Sequence, residues 1–202
     1  INDVIVSIVG GGMRKYLLQN DGLPEASLSC GAPINLRAER NSDSRGNEVG
    51  MMTIDMATDV EDALERLQAV VSHTGESKAY SNALGANVMM DITRSISPAV
   101  IGMGLRTASL VSMMSDVSLP IQTVVSNVPG PQVPLYLSGA KLHVLMGMGP
   151  LLDMMGLFHA VISGAGKITI NFVSCRELLP DPDNYRAALQ ESFDELCGAV
   201  GC

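Results

Sequence analysis

The sequence predicts a mixed α/β or α+β domain, and three observations carry the prediction. Apolar residues recur at helical spacing over 4–17, 60–71 and 185–197; period-two and short apolar runs take over after Pro120; and Gly164-Ala165-Gly166 sits between two such runs as a hairpin turn would. The 202 residues suffice to bury a sizeable core within one domain, 1–202. With 47% hydrophobic residues, 17% charged residues and a net charge of −8, the chain is neither disordered nor the carrier of a basic nucleic-acid footprint. Thirteen Met against three Phe and no Trp predict an aliphatic, compliant core, since thioether side chains adapt to irregular shapes.

The first helix is expected to run to about Gln19, with Asn2 or Asp3 as its N-cap and Val4, Ile5, Ile8, Val9, Met13, Tyr16 and Leu17 on its apolar face. Three consecutive glycines, Gly10, Gly11 and Gly12, cost it about 1 kcal/mol each relative to Ala, so something must pack very close there. Strands are expected over Leu28 to Leu36 and Val49 to Met56, joined by the polar loop Arg37 to Asn47. Asp59 then caps a helix that turns Val60, Ala63, Leu64, Leu67, Val70 and Val71 inward and Glu61, Asp62, Glu65, Arg66 and Gln68 to water, ending in polar residues near His73. Two further helices, rich in small residues and Met, are expected around Ala79 to Arg94 and Ala99 to Ser115. The stretch from Ile96 to Met114 is too interrupted by Pro98, Gly102, Gly104 and Arg106 to read as a membrane span. Strands follow over Ile121 to Val128, Ala140 to Leu145, Leu157 to Ser163 and Lys167 to Ser174. Pro182, at a first helical position between Asp181 and Asp183, opens a last helix with Tyr185, Ala188, Leu189, Phe193, Leu196 and Cys197 on one face.

Most chemistry that can be sought is missing. No Gly-x-Ser-x-Gly elbow occurs, and Gly10-Gly11-Gly12 and Gly164-Ala165-Gly166-Lys167 fail the dinucleotide and P-loop spacings. Cys30, Cys175, Cys197 and Cys202 match no zinc or redox spacing and read as reduced thiols. His73, His143 and His159 stand apart, without the neighbours a metal site needs. One segment stands out for its backbone: Ser126-Asn127-Val128-Pro129-Gly130-Pro131 stops a strand with two prolines and a glycine, and Pro134 follows. Proline fixes φ and removes a donor, so this is a stiff turn, or a preset loop beside a ligand channel.

Four blocks together resemble the C-terminal half of bacterial wax ester synthase/diacylglycerol acyltransferases: Asn2-Asp3-Val4-Ile5; Ser126 to Pro131; Pro134-Leu135-Tyr136-Leu137 with Gly139, Ala140 and Leu142; and Arg176-Glu177-Leu178 with Pro180 and Asp181. The resemblance extends over essentially the whole chain. It implies an α/β (α+β) two-layer sandwich, the C-terminal half of the chloramphenicol-acetyltransferase-like fold of CoA-dependent acyltransferases, in which two related halves enclose a channel. It further implies transfer of a fatty acyl group from acyl-CoA to a long-chain alcohol or to diacylglycerol, with a histidine as general base, no cofactor besides acyl-CoA as substrate, and no metal. The family's His-His-x-x-x-Asp-Gly signature belongs to its N-terminal half and does not occur in this sequence. The expected partner is therefore that N-terminal half, and the fragment alone is expected to be inactive.

On the same resemblance, Asn2 and Asp3 form a supporting motif, Ser126, Asn127 and Tyr136 meet substrate, and Gly85, between Leu84 and Ala86, leaves room for a chain in the alcohol channel. Helix capping by Asn2 or Asp3 and ordinary close packing at Gly85 are the alternatives. Two other functions fit the pattern: another CoA-dependent acyltransferase or condensation domain, and a non-catalytic lipid- or partner-binding module. The expected location is cytoplasmic, with peripheral contact at a membrane or lipid-inclusion surface. The acidic charge opposes simple adsorption on anionic lipid.

Overall fold

In the computed structural model, which describes residues 1–35, 49–84, 103, 104, 107, 121–151, 155–164 and 166–201, helices cover one face of a five-stranded sheet. The elements are α1 (Asn2–Gln19), β1 (Ser29–Asn35), β2 (Val49–Asp55), α2 (Ala63–Leu84), β3 (Thr123–Pro129), β4 (Tyr136–Leu137), β5 (Ala140–Lys141), β6 (Leu157–Gly164), β7 (Lys167–Ser174) and α3 (Pro182–Val200). The sheet order is β2-β1-β3-β6-β7, with β1, β3 and β6 parallel and the two outer strands antiparallel to their neighbours. This is the mixed two-layer architecture the sequence predicts.

Strand alternation decides which side chains meet the helices. Cys30 and Ala32 of β1, Met52 and Ile54 of β2, Val125 of β3 and Val161 of β6 form one core with Val6, Val9, Met13 and Tyr16 of α1, Val70 of α2, and Tyr185, Ala188 and Leu189 of α3. The close approach expected at the glycines is present. A Cβ on Gly10 would stand 2.4 Å from the Met56 carbonyl oxygen, and one on Gly12 would stand 2.6 Å from Leu189 Cδ2. Those hydrogens are what let α1 lie against both the sheet corner and α3.

Several local expectations are corrected. Neither Asn2 nor Asp3 caps α1: Ile1 occupies the capping position, which makes no side-chain bond, and Asn2 is already helical. Asp62, not Asp59, caps α2, its Oδ1 accepting from Leu64 N and Glu65 N at 2.9 Å each. The helix does not end at the polar residues around His73 but continues unbroken to Leu84. Leu64 and Val71 are exposed, whereas Arg66 is only 2% exposed. Arg66 faces α1 beside Gly11 because its guanidinium has carbonyls to bind: Nη1 donates to Val60 O and Glu61 O, both at 3.0 Å. Arg14 does the same for Thr58 O at 2.9 Å and Asp59 O at 3.3 Å, so two arginines satisfy four successive carbonyls of the turn into α2.

At the other end of the chain Pro182 begins α3, Asp181 Oδ1 accepts from Asn184 N at 3.2 Å, and Gly201 closes the helix in the left-handed region. Phe193, expected inward, is exposed, and Ser192 takes an inward place beside Gly11. The expected strand over Ala140 to Leu145 shrinks to the two residues of β5, paired with β4 in a separate two-stranded ladder. The expected loop Arg37 to Asn47 and most of the region Ala79 to Ser115 lie outside the described residues. Among the described residues, no helix is long and apolar enough to cross a membrane.

Candidate functional site

The sheet has two unlike ends, and the register shows which candidate residues share one. Ser29 pairs with Asp55 and Cys30 with Thr123, so β1 and β3 begin at the end where β2 finishes. Gly10 lies against Met56, and Arg14 bonds Thr58 at that same end. From there α1 rises backwards to Asn2 over eight residues, about 12 Å. β3 rises from Thr123 to Asn127 over four residues, about 13 Å. The N-terminus of α1 and the carboxyl ends of β3 and β6 therefore lie toward one end of the molecule. In open sheets with parallel strands, ligands bind outside those carboxyl ends.

At this end Ser126 and Asn127 are half-buried, and β3 runs on through Val128 to Pro129 before Gly130 N bonds Ser163 O at 2.6 Å. Asn2 and Asp3 are half-buried too, and Asp3 Oδ1 is shielded from solvent with no hydrogen-bond partner among the described residues. A carboxylate oxygen held so is costly unless something else supplies a donor. Tyr136, on the β4–β5 hairpin, is 64% exposed. Gly85 lies outside the described residues. The structure thus gathers Asn2, Asp3, Ser126 and Asn127 toward one end and carries Tyr136 away on an extended excursion.

That excursion, residues 131–149, leaves β3 and returns across the face of the sheet that the helices do not cover. Asn171 on β7 pins it, accepting from Gly147 N at 3.2 Å and donating to Gly147 O. A Cβ on Gly149 would stand 2.2 Å from Phe158 Cζ, so the strand face and the arm meet closely there. Yet the arm exposes Val133, Tyr136, Leu137, Val144, Met146 and Met148, with Leu137 at 80% and Met148 at 88%. Beside it a shallow open groove, with a volume of about 50 Å³, is lined by Val133, Leu135, Leu142, Val144, Leu145 and Ile162, with His143, Thr169 and Lys167 as its polar members. Sequence reading missed this groove, because it joins residues of the arm to the hairpin tip. The Gly-rich turn before Lys167 was the available signal.

The histidines separate cleanly. His143 is exposed on the arm. His73 Nδ1 lies 3.3 Å from Asp55 O and 3.7 Å from Asp55 Oδ1, while Ser27 Oγ donates to Asp55 Oδ1 at 2.5 Å. The carboxylate stands between hydroxyl and imidazole, so Ser27 and His73 form no nucleophile–base pair. His159 is fully buried between Thr123 Oγ1 at 3.1 Å and Tyr185 OH at 2.7 Å. Thr123 gives its own proton to Leu157 O at 2.8 Å, so its oxygen accepts from Nδ1–H and Nε2 accepts from Tyr185. Burial pulls the His159 pKa down to about 4 and pushes that of Tyr185 up. This neutral imidazole ties α3 to β3 and β6 inside the core and is closed to any substrate. Burial likewise pushes the Cys30 thiol up to about 12. Among the described residues, no three His, Cys, Asp or Glu side chains gather as a metal site would require.

Residues 45–197 match the WS/DGAT C-terminal domain family. A Mycobacterium tuberculosis protein named "probable diacylglycerol O-acyltransferase" and a Mycobacterium bovis protein named for the same activity are each 30% identical over all of this chain. The chain spans 43% of the length of these curated relatives. A solved structure of the wax ester synthase/diacylglycerol acyltransferase from Marinobacter aquaeolei VT8 superposes on 100% of this chain and 43% of its own, with a TM-score of 0.73 at 24% identity. That likeness shows the fold.

Proposed function

The chain belongs to the wax ester synthase/diacylglycerol acyltransferase family through its C-terminal domain, and from that premise we propose that it is the C-terminal part of an O-acyltransferase that moves a fatty acyl group from acyl-CoA to a long-chain alcohol or diacylglycerol. The observation that supports this beyond the family match is the arm over 131–149. Its apolar side chains lie in water on this chain, while curated relatives have more than half their length to set against it. A contiguous exposed apolar surface of this kind marks an interface.

In this reading the partner of the arm is an N-terminal portion of the same protein, and that portion supplies the histidine general base. The base takes the proton of the acceptor hydroxyl as its oxygen attacks the thioester carbonyl. The tetrahedral oxyanion then collapses, the C–S bond breaks, and the departing thiolate recovers the proton from the imidazolium, leaving ester and CoA. At the carboxyl end of β3, Asn127 presents an amide donor on the helix-covered side, suited to holding a substrate oxygen, and Ser126 presents a hydroxyl to substrate on the other side. Asp3, whose Oδ1 lacks a donor, orients a partner group brought by the N-terminal portion, with Asn2 beside it. Tyr136 lines the approach for the acyl or alcohol chain. Gly85 is proposed, from the sequence alone, to leave room in the alcohol channel.

The test is acyl transfer by the intact protein. Palmitoyl-CoA with hexadecanol or a diacylglycerol should give ester and free thiol in equal amounts, and the 202-residue chain alone should give neither. Asn127→Ala should lower kcat about a hundredfold with stability retained, as loss of an oxyanion donor does. Ester formation by the isolated chain would refute the assignment of the base to another portion.

A further inference from the structure

We propose that Asn171 is a positioning residue for acyl transfer: by clamping the arm at Gly147 it fixes one wall of the place where Ser126 meets substrate. This rests on the acyl-transfer reading and adds to it the device that holds the wall. Ser126 pairs with Ala160 on β6, and Ala160 pairs with Asn171 on β7, so the three side chains form one row across the sheet and share a face. A Cβ on Gly147 would stand 3.2 Å from Ala160 Cβ, which places the arm over the middle of that row. Strands spaced about 4.8 Å apart put Asn171 on one flank of Gly147 and Ser126 on the other, about 10 Å from each other.

The contact fixes height as well as position. Gly147 and Gly149 both turn toward the sheet, where a Cβ would stand 3.2 Å from Ala160 Cβ and 2.2 Å from Phe158 Cζ, while Met146 and Met148 are 68% and 88% exposed. Glycine inward and methionine outward seat the backbone itself on β6, with no side chain as a spacer or as a key against sliding. Asn171 supplies the missing key: it accepts from Gly147 N at 3.2 Å and donates to Gly147 O. A side-chain amide bonded to both polar groups of one residue sets register along the arm as a strand partner would. Among the described residues, no other hydrogen bond reaches 144–149. The Ser126 hydroxyl on the far flank therefore meets a wall whose place is set from two strands away.

The experiment uses the intact protein and reads amide hydrogen exchange, melting temperature and steady-state transfer from palmitoyl-CoA to hexadecanol. Asn171→Ala should speed exchange at Gly147 about tenfold, leave the helices unchanged, and lower kcat/KM about tenfold, as loss of a hydrogen bond does. Asn171→Asp keeps the shape but sets a carboxylate oxygen against Gly147 O, so it should lose as much; it carries the same comparison if Asn171→Ala does not fold. Gly147→Val leaves the amide intact and wedges the arm off Ala160, so it should reproduce the loss. Ser126→Ala should also cost about tenfold, and the pair Ser126→Ala with Asn171→Ala should cost well short of about a hundredfold, because both act on one contact. Full activity in Asn171→Ala or Asn171→Asp overturns the proposal, as do losses that multiply independently. So does exchange at Gly147 that is indifferent to Asn171, or a melting temperature that falls in step with kcat/KM, which makes the loss one of fold. A parent protein that forms no ester defeats the acyl-transfer reading and this role with it. A parent that forms ester at a rate Asn171 does not move defeats this role alone.

Discussion

The two faces of the sheet are built by opposite rules. On the helix-covered face the largest polar groups set into the apolar core are held by named partners: His159 bonds Thr123 and Tyr185, and Arg66 binds two carbonyls of the turn into α2, while the small buried hydroxyls of Ser7, Thr74 and Ser192 find no hydrogen-bond partner among the described residues. Glycines there let backbones approach to contact distance. On the other face the arm over 131–149 is pinned mainly at Gly147, by Asn171, and turns Leu137, Met146 and Met148 outward. One face closes on itself and the other is made to be closed by something else. A chain that folded for its own stability alone would not hold so much apolar surface in water.

Substitutions can break or sharpen that contrast, and the largest effect belongs to the helix side. Gly10→Val should destabilise the protein by more than about 3 kcal/mol, because the new side chain would collide with a backbone carbonyl that has no rotamer to yield. Loss of soluble protein, or a fall in Tm of the purified variant, is the readout. If the variant melts with the parent, the close approach is not what holds α1.

Next comes acid. The His159 pKa is about 4 in the fold against an ordinary 6.5, so the unfolded chain binds the additional proton between those values. Stability contributed by the neutral imidazole is full above about pH 6.5 and falls as the pH drops toward 4, by about 3 kcal/mol in all. Urea midpoints across that range should show the loss, and His159→Gln should flatten the slope there. An unaltered slope in the variant would mean that other groups govern the acid limb.

Arg66→Met should cost about 2 kcal/mol, since it leaves the carbonyls of Val60 and Glu61 without their donor while retaining the stem's packing. The smallest effect belongs to the arm. Leu137→Ser together with Met148→Ser should change the stability of the 202-residue chain by less than about 0.5 kcal/mol, because both side chains already lie in water. The same pair should abolish most acyl transfer by the intact protein. A large loss of stability in the chain alone would show that the arm belongs to its own core and would end the contrast between the faces.

Much of the fold was legible in order. The hairpin between β6 and β7, the proline-opened α3 and the glycines at the centre of α1 each follow from residue chemistry acting over a few positions. The errors fall where a partner distant in sequence decides. Arg66 reads as a solvent-facing residue by its charge, and only the carbonyls of the turn into α2 make its burial tolerable. His159 reads as an undistinguished strand residue until Tyr185, 26 positions on, supplies the hydroxyl that fixes its tautomer. The helix predicted to end near His73 continues because one side of it lies on β2, where Ser77 Oγ bonds Thr53 O at 2.6 Å.

The candidate site divides in the same way. Its motifs, Asn2-Asp3, Ser126-Asn127 and the proline-bounded turn after them, were readable from the sequence as blocks resembling a family. Their shared location was not, because it depends on strand register and on the direction in which α1 crosses the sheet. The sequence by itself determined α1, the β6–β7 hairpin, the proline-opened α3, the close approach at Gly10 to Gly12 and the family's motif blocks, since each arises from local sterics, spacing or residue identity. Only the tertiary structure decided which face stays open, that Lys167 and the arm bound one groove, and that one buried imidazole belongs to the core. Those facts arise from contacts between residues far apart in the chain, where the pairing of one surface with another sets burial, and burial sets the chemistry.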